Sequence, residues 1–215
     1  MPSISYAITA CNEHVELDRL LKVLSEQLRL EDEIVVQMDV LPDDLSALPE
    51  DKKKVLGYIM NLQESGFIRV ILYPLNNDFA SFKNHLSGMC TKDAIFQIDA
   101  DEYPHSELIL NLPAILDANP EIDVFLTPRI NTVEGLTDAH IKQWGWNVQD
   151  GRVNFPDYQW RIWRNHKDIK WVNKVHERLT GYNQYTALPP IDECCLYHPK
   201  EIARQERQNA YYNTI

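Results

Sequence analysis

Four consecutive positions, Asp99-Ala100-Asp101-Glu102, set three carboxylates directly after the apolar run 94–98. Carboxylates this close repel one another, and a bound cation relieves that cost. Mg²⁺ and Mn²⁺ take oxygen ligands and join carboxylates to a substrate's phosphate oxygens. The competing explanation is a solvated acidic turn. The spacing does not fit an EF-hand calcium loop, which needs a turn glycine and a later Glu. Two other groups could act beside such a centre. His176 and Glu177 fall in the run 175–180, read as a short strand whose neighbouring side chains point to opposite faces. A Glu near a metal–phosphate centre is a candidate general base; the plainer alternative is a solvated polar pair. His198 follows the apolar run 194–197, as either a hydrogen-bonded ring or a metal ligand. Between Arg152 and Arg178 seven basic residues face three acids, interleaved with Trp160, Trp163 and Trp171. Such a stretch could meet phosphates and stack on sugars or bases. It equally describes a strand with one wet face and one core face.

The elements that must position these groups follow a rhythm. Apolar β-rich runs at 3–10, 33–40, 67–73, 94–98 and 122–127 predict strands. Between them, Leu17, Leu20, Leu21, Leu24 and Leu28 recur at helical spacing, as do Val55, Ile59 and Leu62 in 51–65. Gly66 suits the end of that second helix. Helices are also expected over 79–90 and 105–117, the latter kinked or broken at Pro113. Strand and helix alternating in this way predict an α/β domain with a mostly parallel sheet. Ligands of such sheets collect at the carboxyl ends of the strands. After Pro128 the rhythm changes to an α+β pattern holding all five tryptophans. Short strands are expected at 158–164, 175–180 and 194–197, then a polar helix from Lys200. The halves 1–128 and 129–215 are expected to share one core in a single domain.

Composition narrows the function classes. The chain has 215 residues, 44% apolar and 25% charged, which is ordinary for one globular domain. A formal charge of −11 argues against broad contact with a nucleic-acid backbone or an anionic membrane. No apolar run approaches the ~18 residues of a membrane span, and no signal-peptide pattern opens the chain. A cytoplasmic location is the expectation. Cys11, Cys90, Cys194 and Cys195 form no CxxC pair and are expected as reduced thiols. The phosphate-loop, dinucleotide, nucleophile-elbow and zinc-protease motifs are all absent. A nucleotide bound here therefore needs a metal to hold its diphosphate.

Taken together, these segments resemble glycosyltransferase family 2, and most closely its lipopolysaccharide-core-glucosyltransferase-like branch. The resemblance runs from ISYAITACNE near the start to LYHP near the end. It covers Asp39 after the second strand, Lys83-Asn84 in the helix before the acidic cluster, and the full Asp99–Glu102 motif. It continues through Arg161-Ile162-Trp163-Arg164-Asn165, Trp171 and Val175-His176-Glu177 to His198. It implies a GT-A fold: a Rossmann-like, mostly parallel sheet flanked by helices, with a smaller α+β part. It also implies a metal-dependent, inverting transfer of a sugar from a nucleoside-diphosphate donor, UDP-linked by default, to an acceptor hydroxyl. The roles it implies are Asp99, Asp101 and His198 at Mn²⁺ or Mg²⁺, and Glu177 as base. Thr9, Ala10, Cys11, Glu13, Asp39, Lys83, Asn84 and Asp99 would face the nucleotide. Trp160, Arg161, Trp171 and His176 would contact donor or acceptor. By length the chain is expected to be a bare catalytic core without the long tail of many relatives. A non-catalytic binding or assembly module on the same fold is the rival reading; a sugar nucleotidyltransferase and a DNA-modifying transferase rank below it.

Overall fold

A computed structural model describes residues 1–212, apart from the side chains of Asp43, Asp44, Gln208, Ala210, Tyr211 and Tyr212. The first half alternates as β1 (Ile4–Ala10), α1 (His14–Gln27), β2 (Glu33–Asp39), α2 (Glu50–Glu64), β3 (Arg69–Tyr73), α3 (Phe79–Met89) and β4 (Ala94–Asp99). It continues through β5 (Tyr103–Pro104), α4 (Ser106–Ala118) and β6 (Val124–Glu134). The remainder comprises α5 (Asp138–Trp144), β7 (Val148–Gln149), β8 (Arg152–Arg164), β9 (Lys170–Val172), β10 (Arg178–Thr180), β11 (Tyr185–Ala187), β12 (Leu196–Glu201) and α6 (Ile202–Tyr212).

Ten strands form one sheet in the order β3-β2-β1-β4-β8-β6-β12-β5, with β7 on β8 and β11 on β6. β1, β2, β3 and β4 pair in parallel, so their carboxyl ends share one edge. β8 enters antiparallel between β4 and β6, and β12 returns parallel to β6. The mixed, mostly parallel sheet flanked by helices is the architecture expected.

The central strands are apolar on both faces because both faces are covered. On one face Tyr6, Ile8, Val36, Phe96 and Ile98 pack with Leu17, Leu20, Leu21 and Leu24 of α1 and with Leu108, Leu112 and Leu116 of α4. On the other, Ala7, Val35 and Ile95 pack with Leu86 of α3 and with Trp163, Trp171 and Leu179. Pro113 lies inside α4 without breaking it, so the expected break does not occur.

The second half departs furthest from expectation. The boundary after Pro128 falls within β6, which runs eleven residues rather than ending at Thr127. The expected strand 158–164 is the end of a thirteen-residue strand, β8. The expected strand 175–180 shrinks to β10, because His176 takes a left-handed φ of 55° that no strand accommodates. Cys194 closes a short 3₁₀ turn, and β12 begins two residues later, so His198 lies inside a strand rather than after one.

Candidate active site

A cleft of about 660 Å³ opens over the carboxyl ends of β1, β2 and β4. Thr9, Ala10, Cys11 and Glu13 line it from the end of β1 and the turn beyond, Asp39 from β2, Asp99 from the end of β4 and Asp101 from the turn after it. Lys83 reaches in from α3, His176 and Glu177 from the loop before β10, and His198 from β12. Residues separated by almost the whole chain thus meet because parallel strands end on one side.

The acidic cluster is neutralised from within. One oxygen of Asp99 accepts from the Thr9 hydroxyl at 2.7 Å and from Gln97 at 3.0 Å; the other accepts from Arg161 at 2.6 Å. Burial pushes the Asp99 carboxyl up, but Arg161 and Lys83, with the bonds from Thr9 and Gln97, hold it well below the usual range. Arg161, itself buried, also donates to Glu102 at 2.6 Å, and Arg129 donates to the same oxygen at 2.7 Å. Asp101 lies 3.2 Å from His198 Nε2 and 3.2 Å from Arg204 of α6. Here too burial is outweighed, by the bond to His198 and the charges of His198 and Lys200, and the carboxyl is lowered.

Glu177 sits against Lys83, whose ammonium donates to its Oε1 at 2.5 Å. Lys83 also lies 3.8 Å from Asp99 and 4.7 Å from the centroid of a Trp171 ring. The loop carrying Glu177 turns through two left-handed residues, Asn173 and His176. Both His176 and Glu177 line the cleft, so the expectation that neighbouring side chains would face opposite ways fails along with the strand.

Other expected contacts serve the scaffold. Asn84 does not line the cleft; its side chain exchanges hydrogen bonds with the backbone of Trp171 at 2.8 and 2.9 Å. Trp171 is buried edge-on to Trp163. Strand alternation sends Gln159 and Arg161 into the cleft and Trp160 away from it, against Tyr182 and Tyr185. Glu13 accepts from the backbone N–H groups of Cys11 and Asn12 at 2.8 and 3.0 Å, which shapes the turn after β1. Asp39 accepts from the Lys52 ammonium at 2.9 Å and the Leu75 N–H at 2.8 Å. Burial raises the Cys11 thiol to about 11, so it faces the cleft as a neutral group.

The basic stretch does not enter the cleft as a unit. Of its seven members only Arg161 lines the cleft. Arg164 donates to the backbone carbonyls of Leu116, Asn119 and Ile122 around the end of α4. Arg152 pairs with Asp192, and Lys167, Lys170, Lys174 and Arg178 are exposed. The sequence reading missed Arg129, Asn131, Trp146, Asp157, Gln159 and Lys200, all of which line the cleft. Arg129 with Asn131, and Asp157 with Gln159 and Arg161, recur at every second position, and that period was the available signal.

Asp99, Asp101 and His198 are not gathered into one ligand set, and no group of three metal-ligating side chains occurs among the described residues. Asp101 and His198 do fit a divalent ion. They offer one carboxylate and one imidazole nitrogen side by side, leaving other coordination positions to water and phosphate oxygens.

Residues 5–194 match the family model described as glycosyl transferase family 2. No curated protein matches the chain. Among solved structures, residues 1–349 of S. aureus TarS superpose with a TM-score of 0.57 at 16% identity, covering 93% of this chain and 60% of that one. The same fragment in complex with UDP-GlcNAc gives 0.58 at 16% identity, covering 93% and 59%. This chain thus spans about three fifths of each of these two structures, and at that identity the likeness is one of fold.

Proposed function

The chain belongs to glycosyltransferase family 2, and from that premise we propose that it moves a sugar from a nucleoside-diphosphate donor, UDP-linked by default, to an acceptor hydroxyl with inversion at the anomeric carbon. One observation carries the reading: the Asp101–His198 pair and the Lys83-held Glu177 line a single cleft at the carboxyl ends of the parallel strands. The Arg161–Glu177 pattern supports the lipopolysaccharide-core-glucosyltransferase-like branch within the family.

Asp101 and His198 would hold Mn²⁺ or Mg²⁺, which when bound neutralises the diphosphate leaving group as a Lewis acid. Asp99, fixed by Thr9, Gln97 and Arg161, presents its edge to the donor. Glu177 accepts the Lys83 ammonium on Oε1 and takes the acceptor's hydroxyl proton on Oε2. The acceptor oxygen then bonds the anomeric carbon, and the electron pair of the breaking carbon–oxygen bond stays with the diphosphate. Residues 1–128 carry the donor side of this division and 129–215 most of the acceptor side. No helix among the described residues is long and apolar enough to cross a membrane.

Titration of UDP and GDP with and without Mn²⁺ or Mg²⁺ tests the donor reading; metal-independent binding, or none to either nucleotide, counts against it. Glu177→Gln is expected to keep donor binding and lose transfer by about 10²–10⁴-fold. Unchanged transfer removes Glu177 from the role of base. The internal pairing of Asp99, Asp101 and Glu177 also suits a module that binds without turnover. Slow donor hydrolysis in the absence of acceptor separates the enzyme from such a module.

A further inference from the structure

Four hydrogen-bond donors converge on Asp157. Arg129 donates to its Oδ2 through Nε at 2.9 Å and Nη2 at 2.7 Å, and Asn131 Nδ2 donates to the same oxygen at 2.8 Å. Gln159 Nε2 donates to Oδ1 at 2.7 Å. Burial pushes the Asp157 carboxyl up, but Arg129 and the bonds from Asn131 and Gln159 hold it below the ordinary range. An ionised carboxylate only accepts. Asn131 must therefore turn its NH₂ toward Asp157, and its carbonyl oxygen is left facing the other way.

What that oxygen faces is His198. The parallel register pairs Asn131 of β6 with His198 of β12, and Asn131 Oδ1 lies 2.7 Å from His198 Nδ1. An amide oxygen also only accepts, so Nδ1 must carry a proton. The other ring nitrogen, Nε2, lies 3.2 Å from Asp101, whose carboxylate accepts the proton Nε2 carries, so a metal bound there takes that proton's place. We infer that Asp157 is a positioning residue that, through the Asn131 amide, fixes the proton of His198 on Nδ1 and so reserves Nε2 for the metal.

The inference rests on the reading of His198 as a metal ligand. Its logic is that of outer groups which orient metal-bound imidazoles. Without Asp157, the Asn131 amide is free to turn over and offer its NH₂ to Nδ1. Nδ1 then loses its proton, and the one proton the ring keeps sits on Nε2 against Asp101, where it competes with the metal. Asp157 lies in β8, on neither of the elements that carry Asp101 and His198, and nothing in the acidic motif announces it.

The test uses Mn²⁺ as probe with UDP present, reading free Mn²⁺ by electron paramagnetic resonance. Asp157→Ala and Asn131→Leu are expected to weaken Mn²⁺ binding about 10–100-fold. Asp157→Asn is expected to bind nearly normally: its oxygen serves Arg129 and Asn131, its NH₂ faces Gln159, and the Gln159 amide turns over. A merely structural role would not give this rescue. Long-range ¹H–¹⁵N spectra of the metal-free proteins at neutral pH supply a second readout, with His198→Ala assigning the signals. Nδ1 of His198 should be protonated in the unsubstituted protein and in Asp157→Asn, and unprotonated in Asp157→Ala. If His198→Ala loses Mn²⁺ while Asp157→Ala and Asn131→Leu bind it normally, the inference is overturned and the metal reading stands. If His198→Ala binds Mn²⁺ normally, the metal reading falls and takes the inference with it.

Discussion

Replacing Arg161 by Met should destabilise the fold more than any other single change in the cleft. The guanidinium is 3% exposed and bridges Asp99 and Glu102 at 2.6 Å each, while its Nη1 donates to Gln97 at 3.1 Å. Met fills a similar volume, so the loss is one of charge and hydrogen bonds rather than packing. Glu102, fully buried, keeps Arg129 at 2.7 Å, and Asp99 keeps Lys83 at 3.8 Å. Neither substitute reaches both carboxylates. Removing one partner of a buried ion pair costs about 3–5 kcal/mol. For a domain of this size each kcal/mol lowers the melting temperature by about 2–4 °C, so a fall of about 6–20 °C is expected. Urea unfolding of Arg161→Met at neutral pH measures the loss. Adding Glu102→Gln should recover part of it, since one of the orphaned charges then disappears. A loss under about 1 kcal/mol would refute the reasoning, because Lys83 and Arg129 would then suffice without the bridge.

Three further outcomes follow from other contacts. Glu33 joins three strands by accepting from Ser5 at 2.6 Å, from the Thr91 N–H at 2.7 Å and from Arg69 at 3.1 Å. Burial raises its carboxyl, but the Ser5 and Thr91 bonds and Arg69 outweigh it and hold it below its ordinary value. Its stabilising contribution is thus fully present above about pH 5 and lost as pH falls through the folded value. Glu33→Gln should cost about 1–2 kcal/mol at pH 7 and much less at pH 3; a gap that persists at pH 3 in urea unfolding contradicts this. Gly181 has φ +81°, and a Cβ there would stand 1.8 Å from the Asp168 carbonyl oxygen. Gly181→Ala should therefore cost more than about 2 kcal/mol, and an unchanged urea midpoint would mean that the turn relaxes. Lys83→Met should lower kcat about 10–100-fold by releasing Glu177, with Lys83→Arg retaining more activity; equal losses in the two variants would show that charge is not what matters.

Legibility in the sequence tracks how each element is buried. β1, β2 and β4 are covered on both faces, so they appear as mostly apolar runs broken only by Ser5, Thr9, Gln37 and Gln97, and α1 shows its core-facing leucines at helical spacing. β6 and β8 line the cleft with one face, and the polar residues at alternate positions hide 128–134 and 152–157, so only 122–127 and 158–164 are legible as strand. Pro128 in β6 and Pro156 in β8 add to that masking. Periodicity cannot register a left-handed residue such as His176, so 175–177 look like a continuation of the strand that begins at Arg178. The family resemblance implies Asn84 beside the nucleotide, yet a sequence match carries no side-chain direction, and Asn84 turns instead to the Trp171 backbone.

Repulsion within Asp99–Glu102, the sequence feature that points to a cation, is answered by the chain's own basic side chains. Arg161 and Lys83 serve Asp99, Arg161 and Arg129 serve Glu102, and His198 and Arg204 serve Asp101. On the proposed function, a divalent ion is drawn in when the donor arrives, because a diphosphate brings negative charge that these already-paired cations do not cancel. Coupled binding follows: nucleotide and metal should each tighten the other's affinity by the same factor, as linkage requires. Isothermal titration of Mn²⁺ into the protein with and without UDP, and of UDP with and without Mn²⁺, closes that cycle. Tight Mn²⁺ binding that UDP leaves unchanged would mean that the carboxylates themselves draw the ion, and that the internal pairing does not satisfy them.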